Sequence, residues 1–390
     1  MKAIINGKVY TMAGEVLEKG IVLIDGDKIK AVGEGIEVPS EAEVIDAEGK
    51  MVMPGIIDAH THLGLYEDGA GWAGADGNEI TSPVTSEIRA IDAINPEDVA
   101  FKDAVKGGIT SVMTGPGSAN VIGGENLAIK THGKTVEEMI IKDPVGIKAA
   151  FGENPKRVYG KMGGTPRLPS TRMGTAAVMR KAFVDAQNYL NKIEHAEKEG
   201  NTPPDRDLKN ESLARVLKKE IPLRVHAHRA DDILTAIRIS EEFDFDITLE
   251  HCTDGHKVAD IIAEKGIPAV IGPTLTSRSK VEVKDKTFKT SGVLVEAGAK
   301  VALMTDHPVI PIDMLPVTAG LAVRAGLSEM DALKALTINA AEILGIQDRV
   351  GSLEEGKDAD VIICDGSPLK TLSKVEKVFI NGEEMELETE

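Results

Sequence analysis

Two textures of apolar and polar positions divide the chain. The first fifty residues carry short apolar runs broken by glycine: Lys2–Asn6 before Gly7, then Lys8–Met12, Gly20–Ile24 before Asp25-Gly26, and Lys30–Val32. Gly and Asp-Gly between apolar runs mark tight turns, so these segments predict short strands. The same texture returns in Ala359–Cys364, Asp365-Gly366, Val375–Ile380 and Asn381-Gly382. Short strands need partners to bury an inner face. The two ends, residues 1–53 and 346–390, are therefore expected to build one small β-sandwich, with the middle inserted between its halves.

Across residues 54–345 strand-like apolar runs alternate with helical stretches. Candidate strands are Ile56–His62, Ile109–Thr114, Leu127–Thr131, Val145–Phe151, Leu223–His228, Asp246–His251, Ala269–Gly272 and Val301–Asp306. Candidate helices are Thr175–Glu199, Asn210–Lys219, Ala230–Glu242, Gly255–Lys265, Thr290–Ala297 and Ser328–Leu344, the last opened by a Ser328/Asp331 capping pattern. Eight such strands predict an α/β fold, a closed parallel (β/α)8 TIM-like barrel. An open doubly wound sheet would use several of the same units. The Gly- and Pro-rich segments Leu63–Pro96 and Gly152–Gly174 would then cover the strand C-termini as substrate walls.

Composition narrows the function classes. With 42% hydrophobic residues the chain can bury a large core, and with 3% aromatics that core must be aliphatic. Forty-five basic against sixty-three acidic residues leave a net charge of −18, which argues against nucleic acid or anionic membrane as partner. No uncharged apolar stretch is long enough to span a bilayer. The two cysteines, Cys252 and Cys364, are far apart, and the first residues lack a basic-then-apolar leader. A cytoplasmic enzyme of small molecules is the expectation, with homo-oligomerisation open.

Asp58-Ala-His60-Thr-His62 ends an apolar run, and side chains at i and i+2 of a strand share a side. His60 and His62 can thus offer two imidazoles to one divalent ion. Histidines recur at two further strand ends, His226 and His228 in one and His251 in the other, and Asp306 closes the eighth run. In a parallel barrel those ends converge on one face, where distant residues can share a metal cluster.

The motifs Pro54-Gly-Ile-Ile-Asp58-Ala-His60-Thr-His62, His226, His251, Thr305-Asp306, Leu336-Thr-Ile-Asn339-Ala-Ala and Gly351-Ser-Leu-Glu-Glu-Gly-Lys-Asp-Ala-Asp360 resemble the amidohydrolase superfamily, in its imidazolonepropionase-related branch. The resemblance spans essentially the whole chain. It implies a barrel carrying a β-sandwich built from both chain ends. It also implies one or two divalent ions, zinc by expectation, with His60 and His62 on one and His226 and His251 on the other. Asp306 would touch the nucleophilic water and shuttle its proton. The bridging anion is Lys148 as a carbamate, or else Glu153 without modification; Lys148 matches the position of the family's carbamate lysine.

A metal-bound hydroxide attacking an amide or cyclic amide carbonyl follows, with an N-acyl amino acid or a dipeptide as candidate substrate. His228 points the same way as His226 and is a candidate substrate contact. The basic residues Lys156, Arg157, Lys161, Arg167, Arg172, Arg229 and Arg278, with Tyr159, suggest an anionic substrate group. A one-metal deaminase or imidazolone-type ring hydrolase is the alternative, although Arg229 stands where such relatives carry an acid. A scaffold that kept the barrel without catalysis is the non-enzymatic alternative. No dinucleotide or phosphate-loop fingerprint is present.

Overall fold

In a computed structural model, which describes residues 1–162 and 164–387, the chain opens with β1 (Lys2–Tyr10), β2 (Val16–Asp25), β3 (Lys28–Glu34), β4 (Glu43–Asp46) and β5 (Met51–Pro54). It continues through β6 (Ile56–Thr61), β7 (Ile109–Thr114), β8 (Ile122–Lys130), β9 (Ile140–Ala150), β10 (Leu223–Ala227), β11 (Ile247–His251), β12 (Ala269–Ile271) and β13 (Val301–Leu303). It closes with β14 (Val361–Cys364), β15 (Val375–Ile380) and β16 (Glu383–Glu384).

Strands β6 to β13 form one eight-stranded sheet in sequential order, with no switch point of the kind a doubly wound sheet requires. The seam between β13 and β6 is bridged just beyond the strand ends, where Asp306 N–H donates to His60 O (3.1 Å) and His62 N–H to His307 O (2.9 Å). The result is a nearly closed TIM-like barrel. One strand departs from the expected parallel arrangement, because β8 runs antiparallel to both β7 and β9. The link from β7 to β8 is only residues 115–121, fewer than the dozen or so that a parallel crossover needs, so the chain can only turn back.

The two chain ends share one connected eight-stranded sheet, ordered β16-β15-β14-β5-β1-β2-β3 with β4 on β1. The antiparallel pairing of β14 with β5, Ile362 opposite Met53, joins the late segment to the early one. Its apolar core draws Ile4, Val22 and Ile24 from the start and Val361, Ile363 and Phe379 from the end. Gly7 does not separate two strands as expected. It lies inside β1 at a register shift, where an added Cβ would come within 2.5 Å of Val52 Cγ2.

A buried ion cluster ties this sheet to the barrel. Lys130 of β8 reaches Asp360 (2.6 Å) and Asp358 (3.0 Å), and Arg349 reaches Asp358 (2.8 Å). The acids of the Gly-Lys-Asp-Ala-Asp tail motif therefore neutralise a lysine that is almost wholly buried.

The expected helix Ser328–Leu344 is two helices, Glu329–Ala335 and Ile338–Leu344. The break falls where Leu336 O accepts from Ile57 N–H of β6 (2.8 Å), which takes that carbonyl out of the helical ladder. Ser328 caps the first helix through Asp331 N–H (3.0 Å). No helix among the described residues is long and apolar enough to cross a membrane.

Candidate metal centre

The strand ends deliver the histidines as the pattern demands. His60 lies on β6 with His62 just beyond it, His226 on β10, His251 at the end of β11, and Asp306 beyond β13. His251 and Asp306 adopt left-handed backbone conformations, φ 69° and 57°, which non-glycine residues rarely hold without a local reason. The turn at His251 has a visible consequence. Glu250 and His251, which strict strand alternation would send to opposite sides, both reach His60.

Each imidazole of the cluster except His226 is anchored through its Nδ1. His60 Nδ1 meets Glu250 Oε2 at 2.9 Å, His62 Nδ1 donates to Gly115 O at 2.7 Å, and His251 Nδ1 donates to Gly272 O at 3.0 Å. His228 Nδ1 meets Thr253 Oγ1 at 2.7 Å. A carbonyl can only accept, so His62 and His251 both carry a proton on Nδ1, which leaves Nε2 as the nitrogen turned toward the cluster. His62 Nε2 lies 3.2 Å from Asp306 Oδ1, and His60 Nε2 lies 3.5 Å from the same oxygen. His251 Nε2 and both nitrogens of His226 are buried with no hydrogen-bond partner among the described residues.

Buried imidazole nitrogens without partners are costly unless something outside the protein satisfies them, and a divalent cation is what neutral imidazole lone pairs satisfy best. Among the described residues, two groups have one ligand atom per residue within 4.8 Å of one another: His60, His251 and Asp306, and His226, His228 and His251. The donors fit a metal. Burial, reinforced by neighbouring positive charge, pushes the pKa of His60, His226, His228 and His251 well below the usual imidazole value, so each stays neutral and ready to ligate.

Lys148 is 1% exposed on β9, with Nζ 2.9 Å from His60 Nε2. Burial lowers its ammonium pKa to about 8. Burial alone would push the carboxyl of Asp306 up, but the His62 hydrogen bond and the charge of Lys148 outweigh it and hold it below the ordinary value. Asp58 does not face the cluster as a ligand. It accepts from Thr305 Oγ1 (2.6 Å), Thr305 N–H (3.1 Å) and His60 N–H (3.2 Å), fixing the β6–β13 seam, and burial raises its pKa to about 7.

Behind His60 stands a pair that the sequence reading missed. Arg224 Nη1 donates to Glu250 Oε1 (2.8 Å) and Arg224 Nη2 to Ile343 O (3.0 Å), with both side chains fully buried. Arg224 precedes His226 by two on β10, so a charged residue on the inward side of a core strand was the available signal.

The basic residues expected at the mouth have other partners. Arg172 Nε contacts both oxygens of Asp232 at 3.0 Å, Arg229 pairs with Asp231, and Arg278 donates to Lys284 O and Lys286 O. Arg167 donates to Ile80 O and Thr81 O and lies over the Tyr159 ring, whose hydroxyl donates to Ser82 O at 2.6 Å. Arg157 is exposed. Nearby acids and loop carbonyls thus engage most of the set that the sequence suggested for an anionic substrate. Glu153 joins neither candidate ligand group; its backbone N–H donates to Glu282 (2.8 Å). Glu282 is itself buried, paired with Lys280, and lies 3.7 Å from His228 Nε2.

The model of the amidohydrolase family matches residues 51–385. A solved amidohydrolase from Thermotoga maritima MSB8 superposes with a TM-score of 0.95 at 50% identity, covering 98% of this chain and 99% of its own. Amidohydrolase tasK of Hapsidospora irregularis is 30% identical over 95% of this chain, which spans only 39% of that relative's length. The imidazolonepropionase of Streptococcus gordonii is 26% identical over 90% of this chain and 85% of its own length. A solved prolidase complexed with N-methylphosphonate-L-proline is similar in fold, with a TM-score of 0.61 at 20% identity and 98% of this chain covered. With that match over most of its length, and with histidines and an aspartate from four strand ends gathered at one mouth, the chain belongs to the amidohydrolase family.

Proposed function

We propose that the protein is a metal-dependent hydrolase of amide or cyclic amide C–N bonds, with an N-acyl amino acid or a dipeptide as substrate. The observation that carries this reading is the set of buried, neutral, unpartnered imidazole nitrogens of His226 and His251 beside Asp306 and Lys148. The imidazolonepropionase and prolidase relatives, both named for C–N chemistry, support it.

His60 and His62 would hold one ion, and His226 and His251 a second. Bound there, a divalent cation such as zinc lowers the pKa of water to about 7 and polarises a carbonyl. Lys148, rather than Glu153, would supply the further anionic ligand in this reading, because its Nζ lies 2.9 Å from His60 Nε2. Its neutral amine forms an N–C bond with carbon dioxide and releases a proton, giving a carbamate with two oxygens. Asp306 accepts a proton from the attacking water as the new C–O bond forms. It then delivers that proton to the nitrogen as the C–N bond breaks.

The group His60, His251 and Asp306 on its own favours the second reading, a one-ion deaminase or imidazolone-type ring hydrolase. Metal content separates the two. About two ions per chain together with turnover of N-acyl amino acids, dipeptides or cyclic amides supports the first reading, about one ion supports the second, and none after careful purification supports an inactive scaffold. In this reading residues 54–345 form the catalytic barrel, and residues 1–53 with 346–390 form a sandwich-like module with its own core, in a cytoplasmic enzyme.

A further inference from the structure

The long segment after β6 places one phenol beside the candidate ligands. The Tyr66 ring packs edge-on against His62, with centroids 5.8 Å apart and planes at 74°. His62 in turn touches Asp306. Three features hold the ring there. Tyr66 bridges to Ala75 in an isolated β-bridge, and Gly117 N–H donates to Gly77 O (2.7 Å). At Gly77 a Cβ would sit 2.2 Å from Tyr66 Cε2 and 2.8 Å from its oxygen, so only glycine lets the backbone lie against the phenol.

The orientation of that phenol proton can be deduced. Asn78 Oδ1 accepts from Ala119 N–H (3.0 Å), which fixes the amide so that Nδ2 faces Tyr66 and donates to the phenol oxygen. Gly117 is required here too, since a Cβ on it would come within 2.4 Å of Asn78 Nδ2. The phenol oxygen is therefore an acceptor toward Asn78, and among the described residues no group accepts its own O–H. Tyr159 makes the contrast, because its O–H is committed to Ser82 O.

We propose that Tyr66 is a catalytic residue whose O–H donates a hydrogen bond to the oxyanion formed on the substrate carbonyl. The proposal rests on the hydrolase reading above. As the water oxygen bonds to the carbonyl carbon, the C=O electron pair moves onto oxygen, and the Tyr66 hydrogen bond shortens without proton transfer. When the C=O re-forms, the C–N bond breaks and the nitrogen leaves with the proton from Asp306. Asn78 is a positioning residue that keeps the O–H directed away from itself.

The test uses full-length zinc-reconstituted protein and the panel of N-acyl amino acids, dipeptides and cyclic amides. For the best substrate, Tyr66→Phe keeps the ring and should lower kcat about 100-fold, the scale of one lost oxyanion donor, with KM within threefold and zinc content unchanged. Asn78→Asp keeps an acceptor for Ala119 N–H but offers a second acceptor to Tyr66, drawing its O–H away, and should lower kcat similarly. Titration with methylphosphonate, a tetrahedral anion, should show at least tenfold weaker binding to Tyr66→Phe, whereas acetate binding should change less than twofold. An active wild type matched by Tyr66→Phe within twofold overturns this proposal alone. So does a loss in which zinc content and acetate binding fall together with kcat, which marks a structural role. A wild type inert toward the whole panel overturns the hydrolase reading, and this proposal with it.

Discussion

Glu250→Gln is the most informative single change to the centre. Glu250 has both oxygens engaged, one by Arg224 Nη1 and the other by His60 Nδ1, and both Glu250 and Arg224 have no exposure at all. Glutamine keeps the shape but removes the charge that neutralises Arg224. Breaking a buried pair from one side costs roughly 3–5 kcal/mol, and the carbonyl that glutamine still offers puts the expected loss near the lower figure. The amide NH2 then faces His60 Nδ1. A donor there forces Nδ1 to accept, which moves the ring proton to Nε2, the nitrogen 2.9 Å from Lys148. A protonated Nε2 cannot ligate a cation, so zinc affinity should fall about 10- to 100-fold, or about 1.4–2.8 kcal/mol. Urea unfolding of the apo-protein measures the first effect and competition against a fluorescent chelator measures the second. The double variant Arg224→Met/Glu250→Leu separates them, because it removes both charges and should recover stability to within about 1 kcal/mol while zinc affinity stays low. Wild-type zinc affinity in Glu250→Gln would refute the argument that Glu250 sets the His60 tautomer.

Asp306→Asn should lower kcat by more than about 10³-fold while the circular dichroism spectrum is retained, since it removes the proton carrier but keeps the shape; comparable turnover would exclude the shuttle role. The amine of Lys148, lowered to about 8 by burial, is neutral above that pH, and the neutral form is the one that adds carbon dioxide. Bicarbonate-dependent zinc uptake by the apo-protein should therefore rise as pH increases from 7 to 9, and Lys148→Met should abolish the bicarbonate effect; flat uptake across that range counts against the carbamate. Lys130→Met leaves Asp360 without its buried cation, while Asp358 keeps Arg349 and Lys28, and should cost roughly 3 kcal/mol in urea unfolding, with the zinc content of the folded protein unchanged.

Much of the fold was legible because it depends on local pattern. Ile109–Thr114 and Val375–Ile380 coincide with observed strands, and the i, i+2 spacing of His60 and His62 already implied a shared side. The recurrence of histidines at strand ends implied convergence because parallel strands of a barrel open onto one face. The direction of β8 was not legible from its apolar run, since hydrophobicity is indifferent to strand polarity. It was fixed by a connection too short for a crossover. The roles of Arg224 and Glu250 were hidden for a related reason. Alternation along β11 separates Glu250 from His251, and only the left-handed turn at His251 lets both reach His60.

The sequence by itself determined which residue types stand at the strand ends, and with them the family and the chemistry available, because side-chain identity and strand periodicity are local properties. The tertiary structure decided which of those groups are free to act. Arg278 and Tyr159 look available in the sequence, yet loop carbonyls and Ser82 engage them. Among the described residues the nitrogens of His226 have no hydrogen-bond partner, and the Tyr66 hydroxyl, which accepts from Asn78, has no acceptor for its own proton. A hydrogen-bonding group is reactive only in proportion to what its surroundings leave unsatisfied, and those surroundings come from segments far apart in the chain.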